Sequence, residues 1–472
     1  MKINESKIFI AIFILFTVVL ISQIYFRPID RDEGFWIGSA QLFNHGYRLY
    51  LDFTLPHTPL VNIIYSILFK IVGIGIIIGR YFNALLGLIS FILIYYTTRR
   101  ENLPSKIIPL IIFTFSYLTI NWLIPIKVYS ITLLLIILSF TFLTLSLKDN
   151  SQKWSIFITG VLLGLTISSR IVLVPLLLVP LFYIRKMQRP IKGVFLYIIG
   201  VIIGLIPTIY YVIKCPGYFY FNVVGLHTSV LNGYKSQLIR LNLFKELLID
   251  PNSIIIFLIT ILAIYYLLSK KTVPIETIST TFLIIIIIVS IIPISTSLQY
   301  FTLTIPFVSI SSSFIFERLS KSKKFKNILY ILIIIYILLG LTRPTYRLMF
   351  DYYHKPLVGI NEVINVENYI KNNVSEKDIV ATWWSGYITK GIPQPDLLLG
   401  AFSERTANLI SEEDRKIYHL PSYNEQIEII LRERPAWVVV GIDSPEEIEK
   451  IIRERYTLIK IIGETRIYAI ND

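Results

Sequence analysis

The chain reads as a polytopic α-helical membrane protein with about eleven transmembrane helices and a small external α/β domain at its C-terminus. Three observations carry this. Of 472 residues, 54% are hydrophobic and only 16% charged. Mean hydropathy is +0.66, far above what a soluble chain of this size shows. Apolar runs of about 20 residues, the length that crosses a bilayer core, recur up to Leu341, and the composition becomes charged and ordinary after Arg343.

The first apolar run, 8–25, follows Lys2 and Lys7 and has no small-residue cleavage site before Arg27, so it reads as a retained span rather than a signal peptide. Further spans are expected near 81–98, 106–124, 128–147, 154–169, 171–185, 193–213, 253–269, 275–295, 300–316 and 326–342. Segment 60–79 is apolar but carries Lys70 and is interrupted by glycine. Charge decides its placement. If it stays on one side, Arg99/Arg100/Lys106, Lys148/Lys153, Arg185/Lys186/Arg189/Lys192, Lys270/Lys271 and Arg318 to Lys326 all fall with the N-terminus. That side is then the cytoplasm by the positive-inside rule. Segment 60–79 is therefore expected as an interfacial or re-entrant helix. This divides the chain into a transmembrane part, 1–342, and an external soluble part, 343–472. Residues 27–80 form the first external loop, with interfacial helices, and 214–250 form a further one.

The formal charge of +14 is explained by these loop clusters, and nucleic acid is not expected as a partner. The single cysteine, Cys215, excludes an internal disulfide and a zinc site built on several thiolates. In the C-terminal part, helices are expected at 361–372 and 423–433. Asp443 and Ser444 are expected to cap another at 445–455, and strands are expected at 378–383, 436–442, 457–462 and 467–470. The alternation implies a small α/β layer. Trp383 and Trp384 lie among alternating apolar residues, which points to core packing before sugar stacking.

The chemistry-bearing residues concentrate just past the first span: Asp30-Arg31-Asp32-Glu33-Gly34-Phe35-Trp36, then His45-Gly46-Tyr47, Tyr50-Leu51-Asp52 and Pro56-His57-Thr58-Pro59-Leu60. Acids at a helix start also serve the exposed amides of the first turn. The whole series, however, resembles the first external loop of type C glycosyltransferases, especially dolichyl-phosphate-mannose protein mannosyltransferases and aminoarabinose lipid A transferases. Arg80 before a span ending in Arg99-Arg100, Gly160 to Gly164 leading to Arg170, and Gln299-Tyr300 before Pro306 continue the similarity. Thr58 stands where the family shows the first proline of His-Pro-Pro-Leu, and Lys127 where many members carry an arginine.

The resemblance implies a membrane glycosyltransferase that moves a sugar from a polyprenyl- or dolichyl-phosphate carrier to an external acceptor protein, lipid or glycan. Asp32 would be the general base, direct displacement would invert the anomeric centre, and Glu33 would support the base, contact the acceptor or bind a metal. The departing phosphate calls for cations, and Arg80, Lys127 and Arg170 are the candidates. Arg170 interrupts an apolar stretch, which is costly in lipid unless it faces a wet cavity or an anion. Asp30, His57 and Tyr300 are candidates for loop, acceptor or sugar contact, and His227 reads as an ordinary polar residue. No cofactor is fixed. A carboxylate pair admits a divalent metal without requiring one. The other class of polytopic protein, a transporter or lipid flippase, favours internal repeats and ionisable groups at the bilayer midplane, whereas these acids cluster outside the spans.

Overall fold

Helices α1 (Glu5–Phe26) and α4 (Ile76–Arg99) form the first crossing and its return. The rings of Phe9 and Tyr95 stack at 4.2 Å near one end, and the hydroxyls of Tyr25 and Tyr81 meet at 2.7 Å near the other. Lys106, just beyond α4, pairs with Glu5 at 3.3 Å. Everything between these helices, including α2 (Arg31–Asn44) and α3 (Leu60–Val72), therefore stays at the end opposite the N-terminus. The 13 residues of α3 reach only about 20 Å, short of the roughly 30 Å hydrocarbon core. Helix α3 by itself is therefore too short to cross.

The computed structural model describes residues 5–99, 106–148, 153–185, 189–228, 242, 245, 250–292, 297–346, 359–445 and 447–471. Among them, eight helices are long and apolar enough to cross a membrane, and three shorter apolar helices lie at Leu60–Val72, Trp154–Ser169 and Ile171–Ile184. Ile10, Ile14, Val18 and Ile21 on α1, each 45–57% exposed, belong to an outward apolar face that only lipid can cover. The protein is a multi-pass membrane protein. Much of the expected loop 214–250 lies outside the described residues.

Three expected spans differ in form, the one over 300–316 opening as 3₁₀ turns at Leu298–Thr304. Segment 106–124 is two helices, α5 (Ile108–Phe115) and α6 (Tyr117–Trp122), separated by Ser116 in extended backbone. Asn252 supplies what the break removes: its Oδ1 accepts from the Tyr117 amide at 3.0 Å and its Nδ2 donates to the Phe115 carbonyl at 3.1 Å. A break at membrane depth persists only with such substitutes. Segment 171–185 opens as 3₁₀ turns, Ile171–Leu177, with Pro175 inside, and becomes α-helical as α9 (Leu178–Ile184). Pro175 can neither donate its amide nor tolerate the carbonyl of the preceding turn.

Helix α7 (Tyr129–Lys148) packs on α8 (Lys153–Ser169), and α8 packs on α10 (Pro190–Lys214). Gly160 and Gly164 face Gly200 and Gly204 in the same order along both helices, so α8 and α10 run parallel. A Cβ on Gly164 would stand 2.4 Å from the Val201 carbonyl oxygen, and one on Gly204 would stand 2.1 Å from that of Val161. Backbones this close require small residues spaced by four. Gly164→Leu is therefore expected to push the helices apart and to lower the Tm in detergent by several degrees, whereas Gly217→Ala, where a Cβ meets nothing within 4 Å, should leave it unchanged.

The short helix α11 (Pro216–Tyr220) follows α10, and the spans Pro251–Leu268, Pro274–Ile291, Ile305–Leu319 and Lys323–Tyr346 complete the membrane part. The C-terminal part is a five-stranded sheet of order β2-β1-β3-β5-β4: β1 (Ile379–Thr382), β2 (Ile392–Pro393), β3 (Trp437–Val440), β4 (Tyr456–Ile462) and β5 (Thr465–Ile470). Strand β1 pairs in parallel with β2 and β3, while β5 runs antiparallel to β3 and β4. Helices Ile360–Asn373 and Tyr423–Glu433 lie where the sequence places them. The second opens on a reciprocal cap between Ser422 and Glu425. The helix expected over 445–455 is only Ile448–Ile452. Its expected caps are engaged elsewhere: Ser444 Oγ accepts from the Gly441 amide at 2.9 Å, and Asp443 pairs with Arg31 at 2.9 Å.

Candidate active site

Asp30 is the N-cap of α2, and Glu33 at the third helical position completes the reciprocal cap. The Asp30 amide donates to Glu33 Oε2 at 2.9 Å. This is the arrangement by which a short acidic run starts a helix, so part of the acidic cluster is local structure. Glu33 is also held from α4: Arg80 Nε and Nη2 donate to its two carboxylate oxygens at 2.8 and 2.6 Å. Arg80 Nη1 donates to the carbonyls of Ile24 and Arg27 at 2.9 and 3.0 Å, and the Ile126 amide reaches Glu33 Oε1 at 3.2 Å. Both side chains are wholly buried. The structure thus places neither Glu33 nor Arg80 at a surface where substrate, phosphate or metal would meet it. Together they clamp α2 to α1, α4 and the 124–128 turn.

Asp32 points the other way. Its side chain is 56% exposed, and its carboxylate meets Lys127 Nζ at 2.8 Å. Asp30 meets the same nitrogen at 2.8 Å, and Lys127 donates to Gln299 Oε1 at 2.9 Å. Burial alone would lift the Asp30 carboxyl, but the charges of Lys127 and Arg27 outweigh it and hold the group below its ordinary value. For Lys127, burial opposes the charge, and Asp32 and Asp30 overcome it to raise its pKa.

These residues open onto a cavity of about 560 Å³ bordered by Asp32, Trp36, His57, Lys127, Arg170 and Tyr300. Arg170 stands at the C-terminal end of α8 with its guanidinium 3.9 Å from the Tyr300 ring centroid and 5.2 Å from that of Tyr129. Among the described residues no carboxylate pairs with it. Two aromatic faces hold a cation there while leaving its charge available to an anion. His57 stacks on Trp36 at 5.0 Å, and its carbonyl accepts from the Tyr50 hydroxyl at 2.8 Å. His227, also on the cavity wall, binds the Pro56 carbonyl through Nε2 at 2.9 Å. Burial, then His227, Arg170 and Lys127, push the His57 imidazole well below its usual pKa. Burial also lowers His227, against the opposing Pro56 bond. Both rings are therefore neutral near pH 7 and leave the positive charge to Lys127 and Arg170. Among the described residues no group of three or more His, Cys, Asp or Glu is placed to hold a metal ion.

The C-terminal part closes over α2. Trp384 Nε1 donates to the Arg31 carbonyl at 3.1 Å, and its ring lies where a Cβ on Gly34 would be, at 2.5 Å. Ser385 fills the space beside Gly38 in the same way. Trp383 and Trp384 are 3% and 2% exposed, so packing claims both. His419 bridges Asp396 at 2.7 Å and the Leu51 carbonyl at 3.0 Å, and Tyr418 stacks on Phe221 at 3.6 Å. Glu367 reaches the start of α4, accepting from the Ile76 amide at 2.8 Å.

Burial is the main cause that lifts Glu367 from 4.5 to about 8, with the Ile76 bond and Arg80 opposing it. The native state therefore holds a proton that the unfolded chain has lost. Its contribution to stability is full below pH 4.5 and is lost as pH rises through about 8. The Tm of the wild type is accordingly expected to fall relative to Glu367→Gln between pH 6 and 9 in detergent. Parallel pH profiles would remove this carboxyl from the interface.

Comparison with known proteins bears on the fold. Residues 56–213 match the family described as dolichyl-phosphate-mannose-protein mannosyltransferase, a segment that contains His57, Arg80, Lys127 and Arg170 and begins after Asp32. No curated protein matches the chain in sequence. Among solved structures, ArnT from Cupriavidus metallidurans bound to undecaprenyl phosphate aligns with a TM-score of 0.64 at 13% identity, covering 99% of this chain and 98% of that one. The apo form of the same protein gives 0.61 at 11% identity, with coverage of 99% and 98%. The Archaeoglobus fulgidus oligosaccharyltransferase tethered to an acceptor peptide gives 0.52 at 12% identity, covering 98% of this chain and 74% of that one. The fold is that of the type C glycosyltransferases.

Within this type C fold, the chain brings together Asp30, Asp32, Lys127, Arg170, His57 and Tyr300 from the expected site, and sets Glu33 and Arg80 behind it as support. Sequence reasoning missed Trp36 and Tyr129 as ring partners in the site. It also missed the contacts of Trp384 and Asp443 with α2 and of Glu367 with the start of α4, all made from the C-terminal part. The one available signal was Arg170 itself, since a cation in an apolar stretch needs a π face or an anion.

Proposed function

We propose that the protein transfers a sugar from a polyprenyl- or dolichyl-phosphate carrier to an acceptor at the face that bears the C-terminal domain. The observation that carries this reading is one cavity with an exposed carboxylate, Asp32, at its rim and two cations, Lys127 and Arg170, in its wall. The carrier's phosphate takes Arg170 and Lys127, and an anion on Lys127 competes with Asp32 for it. Asp32 is then released to draw the proton from an acceptor hydroxyl as that oxygen attacks the anomeric carbon. The C–O bond to phosphate breaks on the opposite face, so the product is inverted, and the two cations neutralise the leaving group. The basic turns on the N-terminal side support an orientation with the N-terminus in the cytoplasm and the C-terminal domain outside.

The test is incubation of purified protein with lipid-linked sugars and candidate acceptors, followed by mass spectrometry. Loss of the lipid-linked sugar with an equimolar gain on acceptor is expected, and absence of turnover with every carrier tried would overturn the reading. Arg170→Ala should raise KM for the donor about 10–100-fold, the worth of one charge-assisted hydrogen bond. A KM unchanged from wild type would remove Arg170 from phosphate binding.

A further inference from the structure

At the opposite end of the bundle from the catalytic cavity lies a second concavity. It is a groove of about 310 Å³ between α5 and the three helices Pro251–Leu268, Ile305–Leu319 and Lys323–Tyr346. Its rim is at Ile108, Leu319 and Phe325, and its depth is marked by Tyr336. Ile108 follows two residues after Lys106, whose partner is Glu5, so the rim is at the N-terminal face. From Phe325 to Tyr336 along the helix is about 16 Å, roughly half the hydrocarbon thickness.

The groove offers water little. Its two hydroxyls are spent within the protein, Tyr336 on the Ile112 carbonyl at 2.9 Å and Ser312 on that of Ser309 at 2.6 Å. The rest of the lining is Ile, Leu and Phe. A dry apolar space of this size opening toward lipid is filled by hydrocarbon.

The rim is predominantly basic. The turn and helix start that supply Phe325 also supply Lys321, Lys323, Lys324 and Lys326, all exposed. Among the described residues none of these four has a carboxylate partner. Arg318 is neutralised by Glu276 at 2.5 Å, and the one acid in the stretch 317–326 is Glu317. Lys270 and Lys271 belong to the adjoining turn, and the Lys271 carbonyl accepts from Arg318 at 2.6 Å.

We propose that this groove is a binding site for an anionic phospholipid, one acyl chain lying between the helices and the phosphate resting on the lysines of the 321–326 segment. The positive-inside rule accounts for lysines in a turn but not for a dry cleft half a bilayer deep beside them, and the two features together match the two ends of one lipid. The site is separate from the donor cavity, and its existence does not depend on the reaction proposed above.

The experiment is native mass spectrometry of the delipidated full chain titrated with phosphatidylglycerol or phosphatidylcholine, with thermal shift in parallel. Wild type is expected to bind phosphatidylglycerol at least tenfold more tightly. The combined substitution Lys321→Ser, Lys323→Ser and Lys324→Ser should reduce that preference below threefold. Ile259→Trp and, independently, Leu262→Phe fill the groove without touching charge and should weaken binding of phosphatidylglycerol about tenfold. Gel filtration identifies any variant that fails to fold, and the other then carries the test. Equal affinity for the two lipids, or unchanged phosphatidylglycerol binding in a folded groove-filling variant, would overturn the proposal. The second outcome would mean that the lysines attract anionic lipid diffusely.

Discussion

Asp32→Asn is expected to lower kcat for sugar transfer about 10²–10⁴-fold, the usual contribution of a positioned general base, while leaving the fold intact. The asparagine has the same shape and still offers an oxygen to Lys127, but it cannot take a proton from an acceptor hydroxyl. The side chain is 56% exposed, so the lost ion pair is largely screened and little stability goes with it. Lys127 keeps Asp30 at 2.8 Å. Asp30→Asn is the matched control. Asparagine is as good an N-cap as aspartate, so α2 starts normally and the change falls on the charge beside Lys127. The expected pattern is a dead Asp32→Asn with unchanged donor binding and a partly active Asp30→Asn. If Asp32→Asn turned over at the wild-type rate while Asp30→Asn did not, the base would be Asp30.

Arg80→Met is expected to cost about 3–5 kcal/mol, the penalty for stranding one member of a buried ion pair, a large share of the stability of an ordinary domain. Glu33 would be left wholly buried beside an apolar methionine side chain, with only backbone amides to answer its charge. The consequence should appear as a fall in detergent Tm and in the yield of monodisperse protein. The double variant Arg80→Met/Glu33→Gln separates charge from shape: glutamine still serves the third position of the cap and carries no charge to strand. It should recover a substantial part of the lost stability. A double variant no better than Arg80→Met alone would mean that packing of the guanidinium, rather than the pair, holds α2 in place.

The same pair shows where a sequence stops being readable. Asp30, Asp32 and Glu33 are adjacent, and their residue types announce chemistry without assigning it. Helical geometry then turns Glu33 inward to Arg80 and leaves Asp32 outside beside Lys127. Residue type alone does not separate the two acids, the resemblance names Asp32 as base, and the start of α2, fixed by Asp30 as N-cap, is what buries one and exposes the other. Arg170 was legible because an arginine is expensive in an apolar run. That Tyr129 and Tyr300, the latter itself a candidate, would be its partners was not, since tyrosines at span ends are expected in any membrane protein.

The sequence by itself determined the membrane class, the spans whose apolar length matches the bilayer and the small sheet beyond Arg343. These follow from composition, charge placement and period, which are local properties. Only the tertiary structure decided that α5 and α6 break at Ser116, because the groups that repair the break come from Asn252, far along the chain. Only it decided that Gly34 and Gly38 make room for Trp384 and Ser385, which joins the C-terminal domain to the helix that carries Asp32. A short acidic segment can start a helix unaided. What it faces depends on which distant residues the fold brings against it.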